Sequence, residues 1–134
     1  MARDTCRFLV LHRSGDVMEP GTYGTIGGKM ESWEKLPRET AYREFLEETE
    51  YEGSIKMIRA HKFVSPDGNF EYQNFLGFVD KEFVPELRWE NDDYKWVELD
   101  ELKSMEDLHF GLEILIKESG ALISKKHSAC VRRS

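Results

Sequence analysis

The chain has no apolar run near the ~20 residues that a bilayer-spanning helix needs. It also lacks the short apolar stretch after Met1 that marks a secretory leader. Membrane insertion is therefore not expected, and a cytoplasmic protein is. Cysteine is scarce: Cys6 and Cys130 are too few and too distant in sequence to suggest a disulfide scaffold. A reducing setting is the default expectation. Positive charge is outnumbered, with 19 Lys and Arg against 26 Asp and Glu and a net charge of −7. Stable binding to nucleic acid, which usually takes a basic surface, is not expected. His12, His61, His109 and His127 lack metal-ligand spacing such as HxxxH. Neither cysteine neighbours a motif for nucleophilic chemistry. No period of about 20–50 residues repeats, which argues against a solenoid.

What is present suits one globular domain, residues 1–134, long enough to bury a core. Residues 7–12 (RFLVLH) form a short apolar strand, and 13–21 a polar loop with Gly15-Asp16 and Pro20-Gly21 as turn signals. A second short strand covers 23–26. A helix opens at Pro37, where the missing N–H costs nothing, and runs to about Glu50. Residues 55–64 and 70–79 read as strands around Ser65-Pro66-Asp67-Gly68-Asn69, a strong hairpin turn. Residues 94–98 make another strand. Leu108, Leu112, Leu115 and Ile116 give an amphipathic helix over 107–119, closed by Gly120. Residues 124–134, with Lys125, Lys126, Arg132 and Arg133, read as a flexible basic tail. Strands interleaved with helices predict an α/β (α+β) domain with a mixed sheet packed between helical layers.

The chemistry concentrates in Arg43-Glu44-Phe45-Leu46-Glu47-Glu48. Three carboxylates at i, i+3 and i+4 share one helical face, about 100° wide. Ala41, Tyr42, Phe45, Leu46 and Thr49 take the opposite side. Like charges at i, i+4 repel by a few tenths of a kcal/mol, so this face does not serve helix stability. A hard divalent cation converts the repulsion into coordination, because Mg²⁺ binds carboxylate oxygens and keeps positions open for phosphate and water. Most acidic helices are only solvated faces. The glycine pair Gly27-Gly28, which lets the backbone approach a ligand, followed by Glu34 and Pro37, tips the balance toward a loop–helix metal–phosphate site.

These residues resemble the Nudix hydrolases, whose box is a Gly, five residues, Glu, seven residues, then Arg-Glu-apolar-x-Glu-Glu-x-Gly-apolar. Gly28, Glu34, Arg43, Glu44, Phe45, Glu47, Glu48 and Tyr51 match in identity and order. Thr22 through Gly28 is similar to the strand entering the box, and Tyr94 through Leu102 to the late strand and turn after it. Two departures stand out. Eight residues rather than seven separate Glu34 from Arg43, an insertion placed near Leu36, and Glu50 replaces the box glycine. A non-Gly residue in the left-handed conformation of that glycine costs about 1 kcal/mol, so either Glu50 accepts it or the helix runs on toward Gly53.

The resemblance implies an α/β/α sandwich and an Mg²⁺-dependent hydrolase, with Mn²⁺ as the alternative cation. Its substrate would be a nucleoside diphosphate linked to another moiety X. Glu44, Glu47 and Glu48 would hold metal, with the carbonyl of Gly27 as a further ligand. Arg43 would orient a carboxylate by pairing with Glu47 or Glu39. Glu90, in the acidic string 89–93, is the candidate general base or extra ligand. Arg13, Gly28 and Tyr72 are candidate substrate contacts, and Arg7 a weaker one. Trp89 is a further aromatic able to stack on a base. Homodimers are frequent in the family, and the sequence leaves the oligomeric state open. The alternative is a nucleotide-binding or sensor module of the same fold without turnover, which loss of the box carboxylates would favour; all three are present.

Overall fold

Strands and helices alternate along the chain as β1 (Phe8–Arg13), β2 (Tyr23–Gly24), α1 (Pro37–Thr49), β3 (Lys56–Val64), β4 (Glu71–Phe78), β5 (Asn91–Val97), α2 (Leu99–Ser104) and α3 (Phe110–Arg133). The structure is a computed structural model and describes residues 1–26, 35–69 and 71–133. Gly27, Gly28 and Glu34 lie outside the described residues, as does the side chain of Tyr72. The mixed α and β architecture expected from the sequence is present. Its strands pair antiparallel in two sheets, ordered β2-β1-β5 and β3-β4. Parallel contact among the described residues is limited to the bridges Ala2–Val79 and Tyr23–Leu108.

Two apolar clusters set the layers. The larger joins Phe8 and Val10 of β1, Leu76 of β4 and Leu112, Leu115 and Ile123 of α3. The smaller gathers Phe45 of α1 with Val79, Tyr51, Phe83 and Trp96. Phe45 meets Tyr51 and Phe83 with ring centroids 5.4 and 6.1 Å apart. Trp96 donates its indole N–H to the Phe83 carbonyl at 3.0 Å. Burying a side chain such as Phe45 is worth about 1.5–3 kcal/mol, so this cluster fixes the rotation of α1. The hairpin turn forms as expected: Gly68 adopts φ +73 and its N–H donates to the Ser65 carbonyl at 2.9 Å.

Three expectations are corrected. The last helix does not close at Gly120 but continues to Arg133, with non-helical geometry at Ser119 alone. Ser119 Oγ accepts the His61 N–H at 3.0 Å, so the kink is tied to β3. Beyond it Ile123 and Cys130 are buried, which replaces the flexible basic tail with ordered helix. Cys6 and Cys130, 124 residues apart in sequence, form a disulfide with Cα atoms 5.9 Å apart. The continued helix carries Cys130 back to the N-terminal turn, where Cys6 sits at φ 60. Separation in sequence therefore gave no ground for expecting free thiols or a reducing setting. Closing so long a loop is worth about 4–5 kcal/mol in the chain-entropy picture. A short helix, α2, also stands where only a turn after the late strand was expected. Among the described residues no helix is long and apolar enough to cross a membrane.

At the end of α1, Glu50 accepts the left-handed conformation, with φ 52 and ψ 34, and its N–H donates to the Leu46 carbonyl at 2.8 Å. Glu50→Gly should therefore stabilise the protein by about 1 kcal/mol and raise Tm by about 3–5 °C. An unchanged or lowered midpoint in thermal unfolding would show that Glu50 is not held at positive φ.

His109 joins β2 to α3. Its N–H donates to the Tyr23 carbonyl at 2.7 Å, Nδ1 accepts from Gly111 N–H at 3.0 Å, and Nε2 lies 3.0 Å from Glu19 Oε2. A proton added at Nδ1 would face the Gly111 N–H. Burial first, and then the Arg13 charge, lower its pKa from 6.5, with Glu19 opposing. Because the unfolded chain binds that proton more readily, this contribution is present above pH 6.5 and lost as pH falls toward the depressed value. Urea unfolding at several pH values should show a steeper acid-side loss of stability in the wild type than in His109→Gln. Parallel curves would contradict the assignment.

Candidate active site

Helix α1 displays its carboxylates through its own periodicity, and neighbouring loops decide how much water each sees. Arg43 Nη1 donates to Glu44 Oε1 at 2.9 Å and to Glu47 Oε2 at 3.0 Å. Glu47 is the expected partner. Glu39 is not used this way, since its Oε2 instead accepts the Lys35 N–H at 3.1 Å. The side chains of Arg43 and Glu44 are each 15% exposed, against 52% for Glu47. Glu48 is buried, and Asn91 Nδ2 approaches its Oε1 at 3.4 Å. The Glu44 carboxyl is raised above its ordinary value, chiefly by burial. Arg43 works against that shift, and the charges of Glu47 and Glu90 add to it. Glu90 thus belongs electrostatically to the α1 carboxylates.

The segment before β5 is fastened to α1 and β1 by hydrogen bonds. Arg88 Nε donates to the Glu47 carbonyl at 2.9 Å, and Glu86 N–H to the Thr49 carbonyl at 3.0 Å. Ser14 donates twice, its hydroxyl to the Trp89 carbonyl at 2.8 Å and its N–H to the Glu90 carbonyl at 2.9 Å. Glu90 is therefore held by backbone, while its Oε2 is buried without a hydrogen-bond partner among the described residues. Leaving such an oxygen unsatisfied costs about 1–3 kcal/mol, more when charged. Among the described residues no three His, Cys, Asp or Glu side chains form a ready metal cage. Glu44 and Glu47 are instead engaged by Arg43. The chemistry of the donors nonetheless fits a hard cation. They are carboxylate oxygens, one of them bare, around a carboxyl whose ionisation is opposed.

The remaining candidates fall elsewhere. Arg13 closes the loop after β1, donating from Nε to the Met18 carbonyl at 2.7 Å. Arg7 is engaged by Glu82 at 2.7 and 3.0 Å, so it acts as a structural ion pair and not a substrate contact. Tyr72 lies in β4, and Gly27 and Gly28 lie outside the described residues. Asn91, Arg88 and Ser14 went unrecognised in the sequence because their roles are hydrogen bonds between distant segments. The only local signal was the position of Asn91 beside Glu90. Next to α1 a cavity of about 960 Å³ opens between the sheets, walled by Val10, Phe45, Arg59, Phe75 and Leu115. Its size is at the upper end of ligand sites, which run to about 1,000 Å³.

The NUDIX domain family matches residues 1–117, and the chain belongs to it. Its fold is similar to that of RenU, a Nudix hydrolase of M. smegmatis, with TM-score 0.73 and 17% identity over 89% of this chain and 76% of that one. An Ap4A hydrolase of C. elegans superimposes with TM-score 0.66 and 18% identity, covering 89% of this chain and 88% of that one. The NUDIX domain of Shewanella oneidensis NrtR, solved with ADP ribose, gives TM-score 0.61 and 19% identity over 87% and 77% of the two chains. Comparison with curated proteins by sequence finds no match.

Millimolar Mg²⁺ should raise the thermal midpoint of the wild type by about 2–5 °C. In Glu90→Gln the rise should shrink to less than half of that. An undiminished rise in the variant would remove Glu90 from the cation site.

Proposed function

We propose that the protein hydrolyses the pyrophosphate bond of a nucleoside diphosphate linked to a second moiety X, with Mg²⁺ or Mn²⁺ at the α1 carboxylates. The observation that carries this reading is the Glu90 oxygen, buried without a hydrogen-bond partner among the described residues, together with the Glu44 carboxyl, whose ionisation burial and the Glu90 charge oppose. Membership in the NUDIX domain family supports it. Glu44, Glu48 and Glu90 are the proposed ligands, with Glu47 and the Gly27 carbonyl completing the set. When bound, the cation neutralises charge on the phosphoryl oxygens and lowers the pKa of a bound water.

The chain's own residues do the rest. Glu90 takes a proton from the attacking water as the new O–P bond forms and the bridging P–O bond breaks, and the second phosphate leaves with the bridging oxygen. Arg43 acts on the carboxylates and not on the substrate: one nitrogen bridges Glu44 and Glu47 and holds their rotamers. Asn91 would help to hold the rotamer of Glu48, donating from Nδ2 to its Oε1 at 3.4 Å. The cavity beside α1 is the place for X. Gly28 and Tyr72 remain proposed substrate contacts, whereas Arg13 is proposed to order the loop after β1.

Glu48→Gln should lower metal-dependent release of phosphate or nucleotide by several orders of magnitude while circular dichroism and the unfolding midpoint stay native-like. A screen of ADP-ribose, NADH, dinucleoside polyphosphates and nucleotide sugars supplies the substrate. Undiminished turnover by the variant excludes the carboxylate site. Nucleotide binding by the wild type without any hydrolysis would make the protein a binding module instead.

A further inference from the structure

The face of the β3–β4 hairpin that looks into the cavity carries two cations, Arg59 and Lys62. In register, Arg59 lies directly opposite Phe75, and Lys62 opposite Gln73. A bulge between Arg59 and Lys62 brings both onto the cavity side, since strict alternation over three residues would send them to opposite faces. Gln73 pins the bulge, donating from Nε2 to the carbonyls of Ala60 at 3.1 Å and Asn74 at 2.9 Å. From the first turn of α1, Arg38 places its guanidinium 5.9 Å from the centroid of the same Phe75 ring. Lys62 is balanced by Glu71 at 3.4 Å. Arg38 and Arg59 have no carboxylate partner among the described residues.

Two guanidinium groups meet at the Phe75 ring, Arg59 from the cavity wall and Arg38 from the exposed start of α1 beside it, in a chain of net charge −7. Both side chains are exposed and open to a ligand, and the planar fork of Arg matches phosphate oxygens in pairs. Phe75 holds Arg38 over its ring while leaving its N–H groups free to donate. The scissile pyrophosphate is not the group they address. Along the α1 axis Arg38 precedes Glu44 by six residues and Glu48 by ten, or about 9 and 15 Å at 1.5 Å per residue. One pyrophosphate at the carboxylates does not reach that far, whereas a second anion one nucleoside away does.

We infer that Arg38 and Arg59 form a second anion site beside Phe75 at the edge of the cavity, which binds a phosphate monoester carried on the substrate away from its pyrophosphate and selects phosphorylated substrates over their unphosphorylated counterparts. The inference rests on the pyrophosphohydrolase reading for what occupies the carboxylates, but its test does not need turnover. Titration calorimetry in EDTA compares coenzyme A with 3′-dephospho-coenzyme A, and NADPH with NADH. In at least one pair the wild type should bind the phosphorylated member about tenfold tighter or more, about 1.4 kcal/mol. The double variant Arg38→Gln, Arg59→Gln should bring that ratio to near one. Lys125→Gln, Lys126→Gln, which removes as much charge from α3, should leave it in place.

Equal affinity within both pairs, binding of none of the four, or a ratio that survives the Arg38, Arg59 double variant overturns the inference. Hydrolysis measured separately with Mg²⁺ keeps the two claims apart. Cleavage of both members with equal affinity upholds pyrophosphate hydrolysis and removes the second anion site. A phosphate-dependent affinity without cleavage upholds the anion site and removes the hydrolytic reading.

Discussion

Carboxylates drawn out of water beside one another raise each other's energy, and this repulsion organises the molecule. Two like charges 4 Å apart near a protein surface oppose each other by about 4 kcal/mol. The Glu44 carboxyl is opposed in this way by the charges of Glu47 and Glu90, and the responses are visible atom by atom. Arg43 bridges Glu44 and Glu47, Asn91 approaches Glu48, and the Oε2 of Glu90 has no hydrogen-bond partner among the described residues. This repulsion is the ground on which a cation is proposed for the cluster.

Much of the fold holds that cluster in place. The aromatic group of Phe45, Tyr51, Phe83 and Trp96 fixes which side of α1 faces outward. The left-handed turn at Glu50 ends the helix so that Glu86 can reach the Thr49 carbonyl and Arg88 the Glu47 carbonyl. Ser14, at the end of β1, then seats Glu90 through its backbone. Behind the β3–β4 sheet, α3 is tied at Ser119 to β3 and at Cys130 to Cys6. The carboxylates proposed as ligands come from one helix and one loop, but their relative position depends on contacts from every layer.

Features set by local chemistry were legible in the sequence. The carboxylate triple follows from helical spacing, α1 begins at the proline that suits its first turn, and the Asp67-Gly68 turn forms where its residues demand it. Glu90 was singled out from an acidic string, but what distinguishes it from Asp92 and Asp93 is burial of one oxygen, which no sequence pattern encodes. The extent of α3 was misjudged because Gly120 is a stop signal only when nothing beyond it packs, and Ile123 and Cys130 do pack. Pairing of Arg43 with Glu44 was missed for a similar reason. Adjacent helix positions diverge by about 100°, yet a long guanidinium can turn back across that angle. Ser14, Arg88 and Asn91 act across 41 to 75 residues of chain, where periodicity carries no information.

The central claim is that Glu44, Glu48 and Glu90 converge on one divalent cation. Anomalous diffraction from crystals soaked in Mn²⁺ tests it most directly, because the metal is located without reference to activity. The account predicts an anomalous peak within coordination distance of all three carboxylates, about 2.0–2.3 Å, with Glu44 drawn away from Arg43. A peak elsewhere, or none at α1 under saturating Mn²⁺, would contradict it.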